Sequence, residues 1–279
     1  MNVIYKAMET LLPFSWAQYD FMKNAFLAIL LITPLLGMIG TMIVQNKMSY
    51  FSDALGHSAL TGIAIGVILG IANSTISMII FAVIFALLLN KIKCKQGNAA
   101  DTIISVFSSA SIALGLIVLS WQGNFSNYSA VLVGDILSIT KGELFSLFLV
   151  FVVTLFLWCI FYNKLLSISL NAGLAKSRGI RVGLLENIFV VIVAVIVMLS
   201  IKWVGILLIN ALLVLPVAAA KNIASNVREY HWFSLVFSLF SGICGFLVSY
   251  YLNAAAGPVI VLFAAILFFA TYLYHAFLT

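Results

Sequence analysis

The sequence is poor in charge. Of its 279 residues only 8% are Asp, Glu, Lys or Arg, against 64% that are hydrophobic. A water-soluble domain carries about 25% charged residues because its surface must be solvated, so this composition excludes an ordinary soluble globule. Most of the surface must face lipid. A soluble catalytic or nucleotide-binding domain is also not expected, since each helical crossing of a bilayer takes about 20 apolar residues and about eight or nine crossings consume nearly the whole length.

Other absences narrow the chemistry. The three cysteines, Cys94, Cys159 and Cys244, are scattered in or beside apolar runs with no CxxC pair, which excludes a disulfide framework and a thiolate metal site. They are expected to be buried packing residues. No GxxxxGK[ST] phosphate loop occurs, so the chain does not drive work with ATP through that chemistry. HExxH and GxSxG are missing as well, which removes the commonest zinc-protease and serine-hydrolase readings, and the chain is expected to be no enzyme. The N-terminus lacks a short apolar core followed by a small-residue cleavage site, and so is not read as a cleavable signal peptide.

What remains is a ladder of apolar runs. They cover 21–44, 53–71, 76–89, 102–121, 143–162, 182–201, 204–220, 232–252 and 254–275, with polar breaks such as Gln45-Asn46-Lys47 and the stretch 122–129 between them. The fold expected is all-α: a polytopic transmembrane helical bundle of about eight or nine spans, some short or broken. Residues 1–20 form a separate interfacial segment and 21–279 a single transmembrane domain. In the first segment Ile4, Met8 and Leu12 recur at helical spacing with Lys6 and Glu9 between them, which suits a helix lying in the headgroup region with Trp16 and Tyr19 at that depth. Asp101, Asp135 and Glu143 fall near run ends, where solvated or helix-capping roles are expected.

The net charge of +6 would suggest nucleic acid in a soluble protein. In a membrane chain it marks cytoplasmic loops instead, and no nucleic-acid partner is expected. If every run spans, Lys47, Lys91, Lys93, Lys95, Lys164, Lys176, Arg178, Arg181, Lys221 and Arg228 share one side, and only Lys6, Lys23, Lys141 and Lys202 take the other. That bias places the first group and the C-terminus in the cytoplasm.

The second run carries an acid and an imidazole, Asp53 and His57. Four residues apart on a helix, they share one face one turn from each other. Ionisable residues inside a span are costly and usually line a water-filled path or a substrate site. Imidazole with carboxylate is also a competent ligand pair for zinc, manganese or iron. Spacing alone leaves a second reading open, in which Asp53 is a first-turn residue favoured by the helix dipole and His57 merely pairs with it. Two ligands do not fill a zinc shell, which usually holds four; a twofold dimer would supply Asp2His2 on its axis. Gly62, Gly66 and Gly70 follow at intervals of four, roughly opposite the pair, where they would let another helix backbone approach closely. Farther on, Asn210 and Pro216 interrupt the run 204–220, and proline predicts a kink or a broken helix there. The loop Leu170–Gly183 reads LNAGLAKSRGIRVG, either a plain basic loop or a short helix that docks onto a partner.

Two of these segments resemble signatures of one family. MSYFSDALGHSALTGIAIG (Met48–Gly66) is similar to the second-helix D-x-x-x-H-[SA]-x-L-x-G pattern of zinc, manganese and iron ABC permeases, and WVGILLINALLVLPVAAAKNIA (Trp203–Ala224) resembles their V-G-x-L-L-x-x-A-L-L-x-x-P-A-A-[ST]-A pattern. LAKSRGI (Leu174–Ile180) resembles the cytoplasmic A-x-x-x-G-[IV] loop, and NAAAGPVIVL (Asn253–Leu262) the last helix. Val217 stands where Ala is usual after the proline, and Ala219 where Ser or Thr is common. The resemblance implies the permease subunit of an ABC importer in the bacterial plasma membrane: a homodimer bound to two cytoplasmic ATPase subunits and loaded by an extracellular or periplasmic metal-binding protein. It implies that Asp53 and His57 contact a transported zinc or manganese ion, possibly iron, with no permanently bound cofactor. Ala175, Lys176, Arg178 and Gly179, or else Lys221–Arg228, become candidate ATPase-docking residues. A secondary cation transporter or channel without an ATPase is the competing reading.

Overall fold

The computed structural model describes Tyr5 and residues 18–71, 73–96, 100–121 and 134–278. The proposed interfacial helix, apart from Tyr5 and 18–20, and the polar stretch 122–129 lie outside the described residues, as do the side chains of Cys94 and Asp101. Helices in chain order are α1 (Asp20–Gln45), α2 (Ser49–Ile68), α3 (Ser74–Gln96), α4 (Ala100–Trp121), α5 (Lys141–Leu170), α6 (Ala172–Ser177), α7 (Val182–Val204), α8 (Ile206–Ile223), α9 (Val227–Leu252) and α10 (Ala256–Leu278), with one 3-10 turn at Ile136–Ser138. Among the described residues, nine of these helices are long and apolar enough to cross a membrane and no strand occurs. The all-α bundle read from the sequence is therefore the fold. Helices are the natural outcome, because hydrocarbon offers the backbone no other hydrogen-bond partner.

Short polar side chains set the helix ends. Thr140 and Glu143 cap α5 reciprocally, the Glu143 amide donating to Thr140 Oγ1 at 3.3 Å and the Thr140 amide to Glu143 Oε2 at 3.1 Å. At α9 the Glu229 amide donates to Asn226 Oδ1, and Glu229 accepts in return from the Asn226 side-chain amide and the Ser225 backbone amide; Asn171 Oδ1 caps α6, and Asp135 caps the 3-10 turn. Three sequence expectations need correction. Residues 163–170, expected as loop, continue α5, which at 30 residues is about 45 Å long and outruns the roughly 30 Å hydrocarbon core. Of the kink or break expected at Pro216 the break does not occur, since α8 runs through that residue and a bundle tolerates one lost backbone bond; the helical run is interrupted at Gly205, whose φ of +84° separates α7 from α8. Cys159 is exposed on α5 rather than packed, a position that a weakly polar thiol tolerates in lipid.

The chain divides into two compact units. One comprises Met1–Thr41, Gly134–Leu155 and Trp203–Thr279. Within it α8, α9 and α10 pack on one another, and α1 meets its neighbours through glycines. A methyl on Gly40 would strike the Leu213 carbonyl oxygen of α8 at 2.2 Å and one on Gly37 the Ser238 hydroxyl of α9 at 2.3 Å, while on α9 itself one on Gly245 would strike the Ile260 Cα of α10 at 2.5 Å. Hydroxyls add directed contacts to the same seam, Ser234 Oγ donating to the Gly37 carbonyl at 2.9 Å. At the start of α1 the buried Lys23 is paired with Asp20 at 3.2 Å. Tyr5 donates its hydroxyl to Asn24, and the Asn24 amide donates to the Ile139 carbonyl at 3.1 Å.

The other unit comprises Met42–Val133 and Phe156–Lys202. Its centre is α2, packed against both α3 and α4. Gly62 and Gly66 lie on α3 as their spacing predicts: added methyls would sit 2.8 Å from Met78 Cα and 2.3 Å from Ser77 Oγ. Gly70 does not pack. It has nothing within 4 Å and a φ of +68°, and it ends α2 in a left-handed turn, its amide donating to Val67 O at 3.2 Å and the Ile71 amide to Gly66 O at 2.9 Å. Its freedom from Cβ serves the turn, the usual use of glycine just past a helix. The entry to α2 is equally tight: Lys47 takes φ 55°, and Lys93 Nζ on α3 donates to the Asn46 carbonyl at 3.0 Å.

Overpacking a close helix contact costs about 1–3 kcal/mol. Gly62→Leu is therefore expected to lower the melting temperature of the purified protein by several degrees, whereas Gly142→Leu, which faces open space, should leave it unchanged.

Candidate metal site

α2 begins at Ser49, so Asp53 lies beyond the first turn, which holds no acid. This removes the reading of Asp53 as a first-turn residue. His57 Nε2 and Asp53 Oδ1 are 3.4 Å apart, with the carboxylate 54% and the imidazole 32% exposed. Both face away from the glycine seam with α3. Exposure bears on what the pair can do: a purely structural pair gains from burial among its partners, whereas this one is accessible from outside the helix.

The separation also suits a metal. Two bonds of about 2.1 Å at the tetrahedral angle span about 3.4 Å between donors, which is the distance observed. An octahedral edge at the same bond length needs about 3.0 Å, within reach of a small side-chain rotation. Among the described residues, no group of three or more His, Cys, Asp or Glu side chains gathers within the chain. One copy therefore offers half of a four-ligand shell.

The remaining candidates fall elsewhere. Asn210 and Pro216 sit on α8 in the other unit, Pro216 buried and Asn210 half-buried. Of the docking residues, Lys176, Arg178 and Gly179 are exposed. Ala175 is not: it is fully buried, packed with Ile168 and Leu185 and flanked by Phe161, Ile180 and Val182. It anchors α6 and cannot touch a partner. Around it, Ala172, Gly173, Lys176 and residues 179–184 line a concave surface of about 660 Å³ carrying the Lys176 and Arg181 side chains. Sequence reasoning missed the α4 side of the site. Thr61, one turn beyond His57, donates its hydroxyl to the Ser111 carbonyl and lies 2.8 Å from Ser111 Oγ. A methyl on Gly115 would come within 2.9 Å of the Thr61 amide nitrogen. The visible signal was the small-residue spacing Ser108, Ser111, Gly115, on a helix that otherwise reads as plain apolar span.

A nine-span helical protein that presents a carboxylate and an imidazole from inside one span belongs to the class of membrane transport proteins. The chain belongs, more particularly, to the ABC 3 transport family, whose model matches residues 18–275. It is 28% identical over 254 residues to the high-affinity zinc uptake system membrane protein ZnuB of Haemophilus influenzae, covering 90% of this chain and 96% of that one. It is 30% identical over 255 residues to the manganese import system permease protein ScaB of Streptococcus parasanguinis, covering 91% of each. Its structure is similar to PsaBC from Streptococcus pneumoniae in complex with Fab, with a TM-score of 0.80 and 28% identity over 98% of this chain and 95% of that one.

Because Ala175 is packed on all sides, Ala175→Glu is expected to unfold α6 locally and lower the melting temperature. Lys176→Ala should leave it unchanged. Equal melting curves for the two variants would contradict the anchoring role.

Proposed function

We propose that this chain is the membrane-spanning permease subunit of an ABC importer for a divalent transition metal, zinc or manganese, driven by separate ATPase subunits. The observation that carries the reading is the Asp53–His57 pair: two hard-to-borderline donors at a metal-chelating separation, exposed on a helix whose other faces are pinned. Family membership supports the ATP-driven mode over a secondary transporter or channel, and relatives named for zinc and for manganese support the cargo class.

The half-filled ligand set supports a homodimer in which two copies of α2 supply Asp2His2, a complete zinc shell. The metal is cargo and not a resident cofactor. A neutral imidazole and an ionised carboxylate bind it in exchange for hydration water, and cargo selectivity between zinc and manganese rests on how far the four donors relax from tetrahedral toward octahedral. The exposed cations of α6 and the following turn, beside a concave surface lined by Lys176 and Arg181, support the docking of an ATPase there, and Lys221 and Arg228 are exposed as a second candidate. With nine spans, the cation-rich ends share one side. The positive-inside bias supports a cytoplasmic C-terminus, and family membership supports the bacterial plasma membrane, where an external metal-binding protein would load the subunit.

The test is metal-resolved uptake into proteoliposomes holding the permease with its ATPase partner. Asp53→Ala and His57→Ala are each expected to abolish ATP-dependent uptake of zinc or manganese while the complex still assembles. Wild-type uptake by either variant rejects the site, and uptake driven by an ion gradient without ATP rejects the mode. Charge reversal at Lys176 and Arg178 is expected to weaken ATPase association while metal binding by the permease persists, which a pull-down and a metal titration read separately.

A further inference from the structure

In hydrocarbon, one apolar helix face is as comfortable as another, so apolar contact alone does not fix how a helix is rotated about its axis. Rotation matters for α2, because Asp53 and His57 must point at the same place. Two seams hold it. The glycine seam with α3 sets distance, since Gly62 and Gly66 allow approach without dictating direction. The seam with α4 is directional. Thr61 and Ser111 are each 5% exposed. The Thr61 hydroxyl donates to the Ser111 carbonyl, which leaves its lone pairs facing Ser111 Oγ at 2.8 Å. Gly115, the next turn of α4, brings the backbones together at this point, with no room for even a methyl beside the Thr61 amide.

Thr61 follows His57 by four residues, which is about 6 Å along the axis and about 40° around it. A hydrogen bond at Thr61 therefore fixes the rotation of the turn that carries the imidazole. We propose that Thr61, with Ser111 as its partner, is a positioning residue for the metal pair: the buried joint between α2 and α4 sets the rotation at which Asp53 and His57 present their donors together. The inference rests on Asp53 and His57 being the metal ligands. Threonine to valine is the informative change, because it preserves shape and removes only the hydroxyl. Ser111 is then free to bond along its own helix, so no buried hydroxyl is stranded.

The experiment is a cobalt(II) titration of the purified permease–ATPase complex in nanodiscs, read by the visible spectrum, which reports coordination geometry, alongside thermal melting. Thr61→Val is expected to weaken cobalt binding about three- to fifteenfold, the range that an interhelical hydrogen bond in a membrane spans, and to change the spectrum. Thr61→Ser should restore both. Ser111→Ala, which removes only the hydroxyl half of the joint, carries the same test with a smaller shift if the valine variant does not fold. Unchanged affinity and spectrum in folded Thr61→Val or Ser111→Ala, while His57→Ala abolishes binding, overturns the positioning role and leaves the site standing. A lowered melting temperature with unchanged binding overturns it in the same way. Wild-type cobalt binding by His57→Ala overturns the site and the inference together.

Discussion

The structure depends on how helices are brought together where water does not drive them. Between two spans in lipid the hydrophobic effect gives no net attraction, because the acyl chains are as apolar as leucine. What remains is close van der Waals contact and directed polar bonds, and both need small residues. Gly62 and Gly66 supply the first for α2, and Thr61, Ser111 and Gly115 the second. The same means recur in the other unit, where Gly37, Gly40, Gly242 and Gly245 sit at contacts too tight for a β-carbon. α2 is buried along most of its length, and its first turns expose the only acid and the only imidazole of the helix.

An open acid–imidazole pair would be a poor way to stabilise a protein. Exposed ion pairs contribute about 0–1 kcal/mol, and an ionisable residue inside a span costs more than that unless it finds water or a partner. The pair is better accounted for by what its donors can bind. A donor separation of 3.4 Å is close to the edge that a tetrahedral cation spans. The bonds that hold α2 in place are made by other residues, Thr61 to α4 and the glycines to α3, and are not consumed by binding.

Most of the fold was legible in the residues because its main signal is coarse. Nine apolar runs became nine long helices, and the four-residue spacing of Asp53 and His57 placed them on one face without further information. Boundaries were less legible. α2 begins at Ser49, four residues before the expected start, because Ser49, Tyr50 and Ser52 look like loop residues although the tight turn at Asn46–Met48 leads directly into helix. α5 absorbs a basic stretch because charge does not end a helix that has left the hydrocarbon. Gly70 matched the four-residue spacing of Gly62 and Gly66, but spacing cannot tell a packing glycine from one that supplies a left-handed turn. Ala175 sat in a basic, partner-like segment, yet a single methyl in a short helix is more useful inside than out. Thr61 and Ser111 were illegible for a different reason. Their bond joins two helices, and nothing in either helix's own periodicity names the partner.

A transport site and a structural zinc site need opposite things from the same ligands. A structural site gathers four donors from one chain and keeps its metal. In the proposed site one chain would hold two donors on one helix, and a full shell would form only where two copies of α2 faced each other in the proposed dimer. Separating the copies would halve the ligand number without breaking a bond inside either subunit, and the pair left on each side is open to water. Release then demands motion between rigid parts, not deformation of the site. That division is consistent with the placement of the glycine seam with α3 opposite the pair and of the Thr61–Ser111 joint one turn beyond His57, where neither uses the pair's own donors.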